Sequence, residues 1–356
     1  MPETSKDLLT ARGLRDLAVR RRDFLALLGA AAGSSVAAGR SPTTSQICVG
    51  DVICMNVYPG ITLPFHLVDV FAVEPFTGNP LAVVVGGEGL EPSLLKRIAR
   101  EFNQSETTFL MRPTRPGADW RLRSFTAAGA EVYGAGHNAL GAWWWLAQAG
   151  RLSLTGDATV FNQEIGSQVL AVTVRKRSGV LSHITMAQEA PRFLKQLADF
   201  GELAASLGLQ RSDLAPDGLP VQVVFTGAPH LMVPIRNGEA VDRIMPNGKR
   251  LFSVLSAVGA EGCYVFSLDP RQPGALAYAR FFNPTVGIWE DPATGTAAGP
   301  LAAYLVANGR ATNEEPIMIE QGTAMGRTSL IRAEVSRDTV RISGAAVVVA
   351  SGELRS

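Results

Sequence analysis

Cysteine is scarce in this sequence. There are three, Cys48, Cys54 and Cys263, with no CxxC spacing and no Cys/His cluster. Neither a disulfide framework nor a zinc site is indicated. The four histidines (His66, His137, His183 and His230) are scattered, and none stands at metal-ligand spacing. An excess of charge is also missing: the net charge is +1, with no basic block and no aromatic–basic interleaving. Nothing therefore points to nucleic acid. No uncharged apolar run is long enough to span a bilayer. There is no GxxxxGK[ST] and no GxGxxG following a strand, so the phosphate-binding motifs are absent too.

What is present is apolar. The 356 residues are 46% hydrophobic and 18% charged, ample for one large domain or two ordinary ones, each with its own core. The first 62 or so residues differ from the rest. Arg20–Arg22 precede an uncharged run of apolar and small residues, Phe24 to Ala38. Arg21-Arg22-Asp23-Phe24-Leu25 is similar to a twin-arginine export signal, with a small-residue cleavage site near Ala37–Ala38. The plainer readings are an amphipathic or disordered extension, or a start placed too early, with Met55 as the alternative start. Export through the twin-arginine route and cytoplasmic placement follow from these two readings respectively.

From Phe65 the signals become dense. "FHLVDVFAV" and "LAVVV" read as strands around the turn "EPFTGNP". "EPSLLKRIAREF" reads as a helix, with Pro92 in its first turn and Leu94, Leu95, Ile98 and Phe102 on one face. "ETTFLMR" and "WRLRSFT" read as strands. "GAGHNALGAWWWLAQAG" then reads as a Gly loop feeding an apolar helix. Later, "DPATGTAAGPLAAYLVANG" follows the strand "LAYARFF" in the same way, and four further strands close the chain. Aligning Phe125 with Phe282 superposes the two stretches as a weak internal repeat, which suggests two similar domains around one apolar helix each. A helix apolar all round must be buried on every side. The spacing does not fit a regular βαβ series, so a doubly wound sheet is disfavoured.

The two Gly loops carry the chemistry. A helix N-terminus offers unpaired N–H groups and partial positive charge, and glycine lets that backbone approach a ligand. One such loop alone reads as a tight turn; two matching loops that carry His137, Asp291 and Thr296 read as a converging carboxylate cradle. A helix start would depress the His137 pKa and favour neutral imidazole. Asp291 precedes Pro292 and a helix start, where plain capping is the competing role. Glu106 opens a strand with no cation nearby in sequence. On local sequence it reads as an exposed strand-edge acid; shielded from water, its raised pKa would make it a proton carrier.

Four blocks in order, "VDVFAVEPFTGNPLAVV", "NQSETTFL", "GAGHNALGA" and "EDPATGTAAGPLAAYL", resemble the PhzF-type family of phenazine-biosynthesis isomerase-like proteins, within the diaminopimelate-epimerase-like superfamily. The resemblance covers about residues 65–352. It implies an α/β (α+β) fold of two pseudo-symmetric domains, each a curved β-sheet wrapped around a central helix, with the active site between them. The domains would be residues 63–186, joined by a returning strand at 344–354, and 187–343. It implies a cofactor-free homodimer with no metal, acting on a small carboxylate. Glu106 of the "SET" block would shuttle a proton between carbons; His137, after Gly136, and Asp291 of "DPATG" would orient the substrate. Asn79 of "GNP", Gly136, Gly295 and Thr296 would lie against it. The chain departs from the family's common wording at Ala127 and at Asn138-Ala139. The superfamily's two-base epimerases place a cysteine at each helix start, where this chain has His137-Asn138 and Gly295-Thr296. A single carboxyl group fits a one-face shuttle instead. The rival expectations are an epimerase using bases other than thiols, and a non-catalytic small-molecule-binding protein on the same scaffold.

Overall fold

The computed structural model describes residues 60–337 and 339–355, and the backbone of an isolated hairpin, β1 (Ser45–Val49) with β2 (Ile53–Val57). The rest of the N-terminal extension, with its export reading, lies outside the described residues.

The first half runs β3 (Thr62–Val70), β4 (Asn79–Val85), α1 (Pro92–Phe102), β5 (Glu106–Met111), β6 (Trp120–Thr126), β7 (Glu131–Val132), α2 (His137–Gln148), β8 (Ala158–Ile165), β9 (Gln168–Arg177) and β10 (Val180–Gln188). The second half opens with β11 (Arg192–Gln196), α3 (Gly201–Leu207), β12 (Gln222–Phe225), β13 (Pro229–Pro234), α4 (Gly238–Asp242) and α5 (Gly248–Val258). It continues with β14 (Gly262–Ser267), β15 (Ala277–Asn283), β16 (Ile288–Asp291), α6 (Gly295–Ala307), β17 (Ile317–Gln321), β18 (Ser329–Ser336) and β19 (Thr339–Gly344). The last strand, β20 (Ala346–Arg355), returns to pair with β3.

The strand pairings of the first half recur in the second. β3–β4 is antiparallel, β4–β5 parallel, β5–β6 antiparallel, β6–β8 parallel, and β8–β9–β10 antiparallel. The same series is traced by β12–β13, β13–β14, β14–β15, β15–β17 and β17–β18–β19. β10 pairs with β19 and joins the halves. Each parallel pair needs a crossover: α1 and α2 supply the two of the first half, and α4 with α5, then α6, the two of the second. A buried acid repeats as well. Glu164 on β8 accepts from the backbone N–H groups of Thr114 and Arg115, and Glu320 on β17 from those of Arg271 and Gln272. Each pins the loop that enters the neighbouring strand pair.

The two apolar helices read from sequence sit inside the curved sheets. Trp143, Leu140 and Leu146 of α2, and Leu301, Tyr304 and Leu305 of α6, belong to one core. Their polar atoms are satisfied: Trp143 donates to Gln163 at 2.8 Å and the Tyr304 hydroxyl to the Pro220 carbonyl at 2.8 Å. α1 packs on the outside of the first sheet and α3–α5 on the outside of the second, each over its own core. Gly141 brings α2 hard against the sheet, since a Cβ there would lie 2.6 Å from Val70 Cγ2 and 2.7 Å from Leu81 Cδ2. Gly141→Ala is expected to cost about 1–3 kcal/mol by overpacking, read as a lower denaturation midpoint with an unchanged slope. Gly141 lies one helical turn beyond His137, so the same close approach sets where that imidazole stands.

Candidate active site

Glu106 is the first residue of β5 and stands in register with Leu81 of β4 and Thr126 of β6. Its side chain is 16% exposed, and its Oε2 is buried with no hydrogen-bond partner. The exposed strand-edge reading is therefore overturned: the acid turns inward. Its neighbour is His137 Nε2 at 3.9 Å, itself without a hydrogen-bond partner. Burial, and after it the charge of Asp291, lifts the Glu106 pKa to about 8. Burial brings the His137 pKa down to about 4, so the imidazole is neutral at neutral pH.

Asp291 ends β16 and comes from the opposite half. One oxygen accepts from Asn79 Nδ2 at 2.8 Å and the other from the Thr294 hydroxyl. Its backbone carbonyl accepts from Gln321 Nε2 at 2.7 Å. Burial lifts its pKa to about 6; the bonds from Thr294 and Asn79 oppose this and the Glu290 charge adds to it. At neutral pH the site thus holds an ionised Asp291, a protonated Glu106 and an uncharged His137.

These groups share a cavity of about 330 Å³ walled by both halves, with Gly136, His137, Gly295 and Thr296 at the two helix starts. The first N–H groups of α2 and α6 have no intrahelical partners, which leaves them for a ligand. Asn138 shapes the first start. Its Oδ1 accepts from Gly136 N at 2.7 Å, and its Nδ2 donates to Ser124 Oγ and the Gly134 carbonyl at 3.0 Å each. The Gly136 N–H is thereby taken up within the loop. Gln188 Nε2 holds the Gly295 carbonyl at 2.9 Å at the second start.

Six of the seven residues singled out in the sequence line this cavity: Glu106, His137, Asp291, Gly136, Gly295 and Thr296. Asn79 does not reach it. It is fully buried behind Asp291, donating to it and to the Ala293 carbonyl, also at 2.8 Å. Sequence reasoning passed over His230, Thr294, Gln321 and the positioning part played by Asn138. Only Asn138 carried a signal, as a departure beside His137. Cys263 lies buried in β14, paired with Leu231 and Phe282. Among the described residues, no group of three His, Cys, Asp or Glu side chains is placed to hold a metal ion, and no helix is long and apolar enough to cross a membrane.

The two carboxyl groups make a measurable prediction. A carboxyl whose folded pKa is raised binds its proton more tightly in the folded chain, so stability falls as pH climbs from the unfolded to the folded value. For Glu106 that window runs from 4.5 to about 8. Glu106→Gln removes the loss, and its stability relative to the native protein is expected to grow by about 1.4 kcal/mol per pH unit across the window. Urea melts at pH 5, 6.5 and 8 measure it, and a difference independent of pH would show that Glu106 is not desolvated.

Residues 68–352 match the family model for phenazine biosynthesis-like proteins. An uncharacterized isomerase of Clostridium acetobutylicum is 33% identical over 301 residues, covering 81% of this chain and 97% of the relative. The trans-2,3-dihydro-3-hydroxyanthranilate isomerase of Pseudomonas fluorescens is 31% identical over 295 residues, covering 82% and 98%. The crystal structure of a PhzF-family phenazine biosynthesis protein from Bacillus anthracis superposes with a TM-score of 0.75 at 29% identity, covering 83% of this chain and 99% of that one. A duplicated sheet-and-helix architecture, matched over nearly the full length of proteins named as isomerases, places this chain in the PhzF-type phenazine biosynthesis-like family, as an isomerase.

Proposed function

We propose that this isomerase moves a proton between two carbons of a small, cyclic or amino-acid-like carboxylate, on one face, with Glu106 as the single acid/base. The observation that supports this is the state of Glu106: a desolvated carboxyl with an unpartnered oxygen, facing a cavity that both halves close. The Pseudomonas fluorescens relative is named for trans-2,3-dihydro-3-hydroxyanthranilate, a ring carboxylate bearing an amino group, and the substrate of this chain belongs to that chemical class. Its carboxylate sits at the N-termini of α2 and α6. Ionised Asp291 accepts a hydrogen bond from the substrate's N–H. Neutral His137 donates to the oxygen on which charge develops when the proton leaves carbon.

The proton balance closes on one residue. Ionised Glu106 takes the C–H proton, the electron pair spreads over the conjugated system, the carboxyl proton exchanges with solvent while the intermediate lasts, and Glu106 delivers a proton to the far end of that system. Its pKa of about 8 makes a strong base of the ionised fraction and a ready acid of the protonated intermediate state. Since the base must be unprotonated to start, kcat/KM rises with pH and levels off above about 8. Homodimeric assembly is part of the same proposal, carried by the family resemblance. The test is incubation of the native protein with small amino and ring carboxylates in deuterium oxide. Mass gain at a substrate carbon is expected, and a carboxylate bound without any such gain would turn the reading towards a binding protein.

A further inference from the structure

The repeated registers place residues of the two halves in correspondence. Phe125 pairs with Thr107, and Phe282 with Cys263; Glu106 pairs with Leu81, and Gly262 with His230. With Phe125 matched to Phe282, Gly262 holds the place of Glu106 and His230 the place of Leu81. "TGNPL" at 77–81 and "TGAPH" at 226–230 show the same correspondence. Gly262 has no room for an acid: a Cβ there would stand 2.4 Å from Phe281 Cζ and 3.1 Å from His230 Nδ1. Where the first half has its carboxyl, the second has a phenyl ring and an imidazole.

His230 is 2% exposed, lines the cavity and meets Phe281 edge-on at 5.1 Å between ring centres. Neither ring nitrogen has a hydrogen-bond partner. An apolar side chain would sit there without the cost of burying two unpaired polar atoms, as Leu81 does in the other half. The polar ring is explained by something the folded chain does not itself contain. Burial takes the His230 pKa down to about 4, so the ring enters neutral, with one donor and one acceptor.

We infer that His230 is a specificity-determining contact, hydrogen-bonding a neutral polar substituent of the substrate, a hydroxyl or a carbonyl oxygen. The assignment rests on the proton-shift reading of the same cavity and follows from charge. The helix starts suit a carboxylate and ionised Asp291 suits an N–H, which leaves the uncharged polar group to an uncharged ring. The test uses 3-hydroxyanthranilate and anthranilate, flat ring carboxylates that differ by one hydroxyl, titrated calorimetrically into the full chain. The native protein is expected to favour the hydroxylated probe by about 10- to 100-fold. His230→Phe keeps the ring and drops both nitrogens; it should bring the two probes within about 3-fold by weakening the hydroxylated one alone. His230→Gln, which keeps a donor and an acceptor, should restore part of the preference. Ligand-free His230→Phe should melt no lower than the native protein. A native preference retained in His230→Phe, equal weakening of both probes, or failure of the native protein to bind either one overturns the inference. Deuterium uptake at substrate carbon reports on Glu106 separately: uptake with unchanged discrimination in His230→Phe sinks only this inference, and discrimination without uptake sinks only the proton shift.

Discussion

Turnover by Glu106→Gln is expected to fall by about 10³-fold or more, with substrate affinity changed by less than about 3-fold. The native side chain is neutral at pH 7, since its pKa stands at about 8. Glutamine copies that resting state in shape and charge, so the fold and the carboxylate cradle survive. What it cannot do is accept a proton. The buried imidazoles of the cavity are poor substitutes: His137, 3.9 Å away, and His230 both have their pKa brought down to about 4 by burial. Asp291, with its pKa at about 6, is a weaker base than Glu106, and in the proposed mechanism it is engaged with the substrate's N–H. Single-turnover rates and deuterium uptake into substrate carbon measure the effect together. Uptake within about tenfold of native would remove Glu106 from the chemistry.

Asp291→Asn is expected to lower kcat/KM by about 10²-fold and to shift its pH dependence. The carboxylate accepts from Asn79 on one oxygen and from Thr294 on the other. An amide can keep its oxygen on Asn79, but its NH2 then meets the Thr294 hydroxyl, which must turn from donor to acceptor, at a cost of about 1 kcal/mol. Loss of the buried charge offsets part of that. The second effect separates a functional role from a structural one. The Asp291 charge is one of the causes that raise the Glu106 pKa, after burial. Without it Glu106 ionises more easily, and the rise of kcat/KM should move below about pH 8. A lower rate with an unmoved profile would mean that Asp291 acts on the fold and not on the acid.

Much of the architecture was legible because local chemistry marks it. Pro92 opens α1 where a proline is tolerated, and the αL residue Asn103 closes it. The two apolar helices are buried as an all-round apolar surface demands. The stretch from residue 151 to 220 is marked less clearly, although it holds β8 to β11 and α3. Its strands mix exposed and buried positions, β9 ends in "VRKR", and β11 is exposed along its length. β8, β9 and β10 do pair in sequence, through the two-residue turns at 166–167 and 178–179; only the far edge of β10 is matched at a distance, with β19, and that pairing nothing local fixes. Asn79 shows the same limit at one residue. Its block pointed to the substrate, yet its amide is spent on Asp291, 212 positions away.

The sequence by itself determined most strands and helices around the site, the repeat, the Gly loops and the acid that opens β5. These depend on spacing and residue type, which a linear chain displays. The tertiary structure alone decided that Glu106 is desolvated, that His137 and Asp291 stand beside it from opposite halves, and that His230 faces the same cavity unpaired. Desolvation and charge–charge coupling depend on distance through space, and residues 106, 137, 230 and 291 acquire those distances only when the two sheets close around their helices.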